Sequence, residues 1–497
     1  MEKCGVLIGK TNDELNDVTL CKEKELRELV EKYSQQHIFG HWDKLSKEQK
    51  AYLLNQISKI DFELMKRLTE IWIFNTPKPE VFNQIIPIPV ISLNSSEDSR
   101  EKEAYDCGEE TLKLSEVGLF MVAGGQGTRL GFDKPKGTFP IGPVTKKSLF
   151  QYHAEKIINI QKRYNIELPW YIMVSETNEL DTKNFFEQND YFTLKKSNVI
   201  FATQSMVPCL DERGKFMLES PYSIAMNPNG HGGTIQTIIE KGLMEDMENR
   251  GIKFLSYFQV DNWAVKVADP RFIGYHVLNN AEMSSKIIRK NSLREAVGVH
   301  CICDNEYRVI EYSELDIYPQ LLELNPDGSI KFYAGNPAMH IITIGFVKKV
   351  YNRFKDFPWH RAHKKIPYID DSGNLIKPEK PNGYKFETFI FDALRYTSHH
   401  PVALEIQREG EYTPIKQLTG ENSIESARKS MTKMWAKWLK KSGYNMDEYI
   451  AHREHYIEIT PVFALTEEEF LKKSRNFNWQ IPSTSFAIDE QGNLITT

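Results

Sequence analysis

From about residue 117 the chain alternates short apolar runs with longer amphipathic stretches. "VGLFMVA", "WYIMVS", "NVIFAT" and "FLSYFQV" are brief, apolar and partly β-branched, and they predict strands. Between them "KSLFQYHAEKIINIQKRY" and "GGTIQTIIEKGLMEDMEN" carry apolar residues at the three- and four-residue steps of helices. This alternation predicts an α/β core on a mixed, mostly parallel sheet covered on both faces. Ser148 stands at the head of the first helix with Gln151 three residues on, the spacing of a capping box.

The flanks follow other patterns. Residues 14–75 hold two helical stretches, "DELNDVTLCKEKELRELVEKY" and "KEQKAYLLNQISKIDFELMKRLTEIW", which predict an N-terminal helical layer. The following "NTPKPEVFNQIIPIPVISLNSSEDSREKEAYD" is rich in proline, serine and charge and reads as a connector. After residue 300, "YRVIEYSE", "SIKFYAG", "AMHIITIGFV" and "NGYKFETFIFDAL" suggest strands and one helix continuing the central domain. Near the end, "SARKSMTKMWAKWLKKSG" sets Met431, Met434, Trp435 and Trp438 at helical steps against many lysines. A packed amphipathic helix with a solvated basic face accounts for it better than a membrane or nucleic-acid contact. The expected organisation is residues 1–104 as helical region and connector, 105–405 as catalytic domain and 406–497 as a small C-terminal domain.

Composition narrows the function. The 497 residues include 40% hydrophobic and 26% charged residues, the balance of a folded globular protein. With 63 basic against 68 acidic residues and a net charge of −5, nothing global attracts nucleic acid or acidic lipid, so any anion site must be local. Among the six cysteines the close pair Cys301 and Cys303 lacks a second pair at zinc spacing, which argues against a metal knuckle or disulfide framework. The only apolar stretch at the N-terminus, "GVLIG", is too short for a signal-peptide core, and no run approaches the roughly 20 residues of a membrane span. The expectation is a cytoplasmic protein with no membrane and no nucleic-acid partner.

One segment concentrates unusual chemistry. "MVAGGQGTRLGFDKPKG", residues 121–137, follows the first predicted strand with five glycines, an arginine and two lysines. Ligands of open α/β sheets bind beyond the carboxyl ends of strands, and Gly124, Gly125 and Gly127 allow main-chain amides to converge on phosphate oxygens. A Walker A loop needs a lysine directly after its last glycine, whereas Lys136 precedes Gly137; Gly125, Gly127 and Gly131 are spaced one residue too wide for a dinucleotide fingerprint. The stretch matches instead the nucleotidyltransferase signature, a glycine-rich turn followed by T-R-L-G and P-K-G. Arg129 can chelate phosphate oxygens with its fork, and Lys136 adds a point charge.

Beyond this loop the chain resembles the eukaryotic UDP-N-acetylglucosamine pyrophosphorylases, the UTP:N-acetylglucosamine-1-phosphate uridylyltransferases. The resemblance runs over residues 105–465 through "PWYIMVSETNELDTKNFF", "NVIFATQSMVPCL", "VDNWAVKVADPRFIGY", "EAVGVHC", "VIEYSEL", "YAGNPAMHIITI", "KKIPYIDDSGNLIKPEKPNGYKFETFIFD" and "REGEYTPIKQ". It implies a Rossmann-like nucleotidyltransferase core that binds UTP and N-acetylglucosamine 1-phosphate side by side. The sugar-phosphate oxygen would attack the α-phosphorus in line, giving UDP-N-acetylglucosamine and pyrophosphate.

The resemblance also implies roles. Ala123, Gly124, Gly125, Gln126, Gly127, Thr128, Gln204, Gly230 and His231 would hold the nucleotide, with Gln204 pairing to uracil. Arg129, Lys136 and Lys416 would be catalytic, and Asp261 would carry Mg2+. Asn262 is expected to support its loop and not to bind metal. Glu311, Tyr312, Asn336, Lys385, Phe389 and Phe391 would form the sugar site, Lys385 lying, like Lys416, near the phosphates. A monomer is the expected state.

One departure stands out. The family usually reads P-D-G-N-G-G where this chain has "NPNGHGG", placing Asn229 and His231 at altered positions. Uridylyltransferases for unmodified hexoses often carry G-H-G there, so a UDP-glucose or broad UDP-sugar pyrophosphorylase is the alternative. A catalytically silent UDP-sugar-binding protein is a third reading, against which stand Arg129, Lys136 and Asp261.

Overall fold

The strand Val117–Val122 is buried along five of its six residues because it runs between two parallel neighbours, Trp170–Val174 and Phe254–Gln259. Val199–Thr203 extends the parallel set beyond Trp170–Val174. Burial on both faces explains why these runs read as continuous apolar sequence without alternation. In this computed structural model, which describes residues 12–75, 77–92, 98–399, 401–447, 449 and 455–496, they belong to a mixed sheet of 11 strands. From Phe254–Gln259 outward the pairing turns antiparallel through His340–Thr343, Met283–Arg289, Ala334–Gly335, Val299–Cys303 and Ile85–Pro87. The core strands are thus parallel as expected, and the far half of the sheet is antiparallel apart from Ala403–Glu405, which pairs in parallel with Met283–Arg289.

Local differences from the expected pattern have physical reasons. Ser148 does cap Leu149–Tyr164, its hydroxyl accepting the Gln151 amide at 3.1 Å, but the Gln151 side chain donates to Glu155 at 3.0 Å and leaves the box open. The stretch after residue 232 forms two helices, Thr234–Glu240 and Leu243–Asn249, because Gly242 at φ +72 breaks the run. The end of the expected connector is the helix Asp98–Lys113; residues 93–97 lie outside the described residues. Its charges mask a face of small residues that lies against Pro270–Leu278. A side chain at Gly274 would meet the Ala104 carbonyl oxygen at 1.6 Å, and one at Gly108 the Pro270 carbonyl oxygen at 1.8 Å. Gly274→Ala is therefore expected to lower stability by about 1–3 kcal/mol, read as a fall in the urea midpoint. An unchanged midpoint would mean the two helices are not in this contact.

The chain packs as two compact units that do not follow the divisions at 104 and 405. One holds Val81–Ser205, His231–Phe357 and the segment from Phe389 onward. Residues 406–497 bring their own sheet, Ile457–Ile459 with Phe486–Ile488 and Leu494–Thr496, but their apolar residues do not form a separate core. Met431, Trp435, Ile457 and Phe486 share one core cluster with Leu119 and Ile172 of the large sheet. The helix Ile424–Lys441 buries Met431, Trp435 and Trp438 and leaves its lysines outward, as its pattern predicts.

The other unit joins the N-terminal helices, up to Glu80, to Met206–Gly230 and Pro358–Thr388. Asn12–Lys32, Lys47–Ser58 and Phe62–Thr69 form the expected helical layer. Leu53, Ile57, Met65 and Leu68 pack with Phe216, Leu218, Trp359 and Phe386. The buried Gln35 side chain imitates a strand, donating to the Gly214 carbonyl at 3.0 Å and accepting from the Phe216 amide at 2.9 Å. The helical layer is thus half of a core whose other half arrives much later in the sequence.

Candidate active site

The parallel strand Val117–Val122 delivers the chain into the glycine loop, and the neighbouring strand end shapes it. Asn178 Nδ2 donates to the Ala123 carbonyl at 2.9 Å, and Ser175 Oγ to the Gly124 carbonyl at 2.9 Å. Lys136 N and Gly127 N close the turn on Gly125 O and Lys134 O, at 3.1 and 2.9 Å. With these carbonyls engaged, the amides of Gly124, Gly125, Gln126, Thr128 and Arg129 have no protein acceptor among the described residues. Such a row of bare N–H groups is an anion cradle. Gly125 is exposed with open space around it, whereas a side chain at Gly124 would meet Gln204 Nε2 at 2.4 Å. Gly124 is therefore glycine so that the buried Gln204 can lie against the backbone. Arg129 sits exposed in the turn Thr128–Leu130, and no carboxylate pairs with it among the described residues.

Lys136 has two partners. Its Nζ lies 3.4 Å from Asp261 Oδ2 and donates to the Ile415 carbonyl at 3.2 Å. Both side chains are largely covered, 17% exposed for Lys136 and 13% for Asp261. The next residue completes the framework. Asn262 donates to the Glu411 carbonyl at 2.8 Å and accepts the Thr413 amide at 2.9 Å, while Ile415 N donates to Asp261 O at 3.0 Å. Asn262 thus supports a loop, and the segment 411–415 carries Lys416 to the same place. Lys416 is solvent-accessible but surrounded by protein, which by itself would pull its ammonium down. The Tyr412 hydroxyl and the carboxylates of Asp261 and Glu311 outweigh this and hold it above the usual lysine value.

His231 and four of the expected sugar residues form two groups in this unit. The His231 ring stacks on Phe389 at 5.2 Å and tilts against Phe391 at 5.7 Å, and its Nδ1 accepts the Ile390 amide at 3.1 Å. Accepting at Nδ1 leaves Nε2 to carry the proton of a neutral ring, so His231 keeps a donor where the family has asparagine. Asn336 N donates to Gly298 O at 2.8 Å, and a side chain at Gly298 would meet Glu311 Oε1 at 3.0 Å, which puts Asn336 and Glu311 around one glycine. Buried histidines link the groups. Burial pushes His300 down to about 3 with Asn336 beside it, and His340 is lowered by burial and then by repulsion from His300 and His231.

Tyr312 follows Glu311 in the chain but is 49% exposed. Gly230 and Lys385 belong to the other unit. Gly230 takes φ +84, and a side chain there would meet Thr388 O at 2.4 Å; Lys385 sits in the strand Gly383–Glu387 opposite Ala362. Nothing in the sequence marks out Ser175, Asn178, Tyr412 and Glu411. They lie within "SETNEL" and "REGEYTPIKQ", and only their hydrogen bonds across the sheet reveal what they do.

The donor set fits a magnesium ion. Among the described residues no three His, Cys, Asp or Glu side chains gather as a metal cage, and Asp261 offers a single hard carboxylate beside a phosphate cradle. An ion of this kind is held by one or two carboxylates and completes its shell with water and substrate phosphates.

Comparison with known proteins agrees with this geometry. A family profile described as UTP–glucose-1-phosphate uridylyltransferase matches residues 83–494. The chain is 34% identical over 442 residues to human UDP-N-acetylhexosamine pyrophosphorylase-like protein 1, covering 85% of this chain and 87% of that one. It is 34% identical over 439 residues to the Saccharomyces cerevisiae UDP-N-acetylglucosamine pyrophosphorylase, covering 84% and 91%. The crystal structure of the Trypanosoma brucei uridine diphosphate N-acetylglucosamine pyrophosphorylase in complex with inhibitor superposes with a TM-score of 0.78 at 25% identity, over 95% of this chain and 96% of that one. A nucleotidyltransferase fold, an amide-lined turn and a lysine–aspartate pair beneath it all agree with these matches: the chain belongs to the UTP–glucose-1-phosphate uridylyltransferase family.

Proposed function

We propose that this uridylyltransferase makes UDP-N-acetylglucosamine and pyrophosphate from UTP and N-acetylglucosamine 1-phosphate in the cytoplasm. The observation that carries it is the Lys136 Nζ to Asp261 Oδ2 approach of 3.4 Å beside a loop whose amides are bare. The amides of Gly124, Gly125, Gln126, Thr128 and Arg129 and the Arg129 guanidinium bind the triphosphate, and Gln204, held against Gly124, presents its amide to the uracil edge. Lys136 and Lys416 carry positive charge to the phosphates, where it stabilises the charge that spreads over the transferring group and the leaving pyrophosphate. Asp261 would hold Mg2+, which when bound supplies further positive charge to the phosphate oxygens. The sugar-phosphate oxygen is already anionic, so the transfer requires positioning and neutralisation but no base.

For the sugar, Glu311 and Asn336 offer hydrogen bonds to hydroxyls, and Phe389 with Phe391 gives the acetyl methyl an apolar wall. The relatives named for N-acetylhexosamine and N-acetylglucosamine pyrophosphorylases support this choice. No residue in the scheme has to come from a second copy, and no helix among the described residues is long and apolar enough to cross a membrane. The deciding measurement is kcat/KM over a panel of sugar 1-phosphates. N-acetylglucosamine 1-phosphate is expected to exceed glucose 1-phosphate by about 10- to 100-fold, the range that one small apolar group in a fitted pocket commands. His231, the residue of the G-H-G pattern, favours the second reading, a UDP-glucose pyrophosphorylase. A preference for glucose 1-phosphate would establish it and overturn the first.

A further inference from the structure

Behind Asp261 the chain enters a wall shared by two connected spaces. One is a cavity of about 350 Å³ lined by Lys156, Trp263, Val265, Trp435 and Trp438, and the other a groove of about 750 Å³ lined by Lys429, Lys433, Lys437 and Lys441. Lys266, Glu411, Met434 and Trp438 line both, so the apolar cavity opens into the basic groove. Neither contains the phosphate loop or Lys136.

Three features of the walls select a ligand. The groove presents six cations, Lys266, Arg271, Lys429, Lys433, Lys437 and Lys441, against three carboxylates, Glu409, Glu411 and Glu467. Glu101 and Glu425 also reach Arg271 and Lys429, but Glu409 alone serves two lysines, at 2.6 Å from Lys433 and 2.7 Å from Lys437, so an added anion beside this pair meets one positive charge that the carboxylates do not balance. The cavity is built of indoles and aliphatic groups, yet two buried polar groups in its lining are incompletely met. Trp263 Nε1 has no hydrogen-bond acceptor among the described residues. Lys156 donates only to the backbone carbonyls of Trp263 and Val265, and among the described residues no carboxylate neutralises it. Burial pushes Lys156 down to about 7.

The same walls are tied to the catalytic residues. Trp263 follows Asp261 by two positions. Glu411 pairs through its carboxylate with Lys266 at 2.7 Å and with the buried Lys286 at 2.7 Å, while its carbonyl receives Asn262 at 2.8 Å. Four residues on, Ile415 holds both the Asp261 backbone and the Lys136 ammonium, at 3.0 and 3.2 Å. A ligand that shifts Lys266 or Glu411 therefore moves the segment that positions Lys136.

We infer that cavity and groove together form an effector site for an aromatic anion, a flat apolar ring system in the cavity bearing a carboxylate, sulfonate or phosphate toward the lysines. Its occupancy alters substrate handling at Lys136 and Asp261. The coupling rests on the catalytic assignment above; the binding does not.

Naphthalene-1-sulfonate titrated into the full chain in a calorimeter tests the binding. Saturable 1:1 binding that persists at saturating UTP is expected, weakened about tenfold or more in Lys437→Glu and in Met434→Trp, which fills the cavity. Circular dichroism verifies that each variant is folded, and Lys437→Glu carries the test alone if Met434→Trp is not. Absence of saturable binding, displacement by UTP, equal binding of neutral 2-naphthylmethanol, or undiminished binding in the folded variants would each overturn the site. The coupling is read as a change of about twofold or more in UTP affinity or in turnover of whichever sugar 1-phosphate the enzyme accepts, lost in the same variants. Binding that leaves both unchanged would overturn the effector role while leaving the catalytic assignment intact.

Discussion

Lys136→Ala is expected to lower turnover by about 10²- to 10³-fold, the effect of removing one preorganised charge from a site where negative charge develops. The ammonium is fixed by two partners, Asp261 and the Ile415 carbonyl, and is mostly shielded from water, so its charge acts with little screening and little reorganisation. Arginine at this position should restore little, because its fork cannot occupy the space between those partners. Folding should survive, with the urea midpoint shifting by about 1 kcal/mol or less, since Lys136 anchors a loop and belongs to no apolar core. The assay is pyrophosphate release under saturating UTP. Turnover within about threefold of the parent would remove Lys136 from the chemistry.

Asp261→Asn should abolish the response to added MgCl2 and reduce pyrophosphate release by about 10²-fold or more. The substitution preserves shape, and the Asp261 carbonyl can still receive Ile415 N, so the loop remains in place. What disappears is a negative oxygen. Without it Lys136 loses its partner at 3.4 Å, and a hard cation bound at Asp261 as proposed would lose its protein ligand. A magnesium titration separates the two effects: the variant's activity should stay flat across concentrations that activate the parent. An unchanged magnesium midpoint would show that Asp261 does not bind the ion.

These two residues also mark how far the sequence can be read. The loop 121–137 is recognisable because glycine at such density is costly unless backbone must approach a ligand, and that constraint is local. Its exclusion as a Walker A or dinucleotide motif follows from spacing. Nothing local, however, reports that Lys136 and Asp261 lie within 3.4 Å, since 125 positions separate them and a parallel sheet brings them together. The sugar residues and His231 are reached through resemblance, and the structure sorts them: His231, Phe389 and Phe391 share ring contacts, whereas Tyr312 stands exposed.

The departures from the expected fold share a cause. The helix Asp98–Lys113 is hidden in a charged connector because it packs through small residues, and the close approach of Gly108 to Pro270 needs no stripe of large apolar side chains. The N-terminal helices are not a layer on their own because they complete their core with Phe216, Trp359 and Phe386, residues from two distant stretches of the chain.

By itself the sequence determined the four parallel strands of the large sheet, the glycine-rich loop and the identity of the chemistry-bearing side chains, because periodicity, glycine density and charge act over a few residues. The tertiary structure alone decided which of these side chains meet, which helices complete which core, and how Glu411 and Asn262 hold the segment that carries Lys416. Those outcomes depend on burial and hydrogen bonds between residues far apart in the chain, and such contacts leave no spacing in the sequence to read.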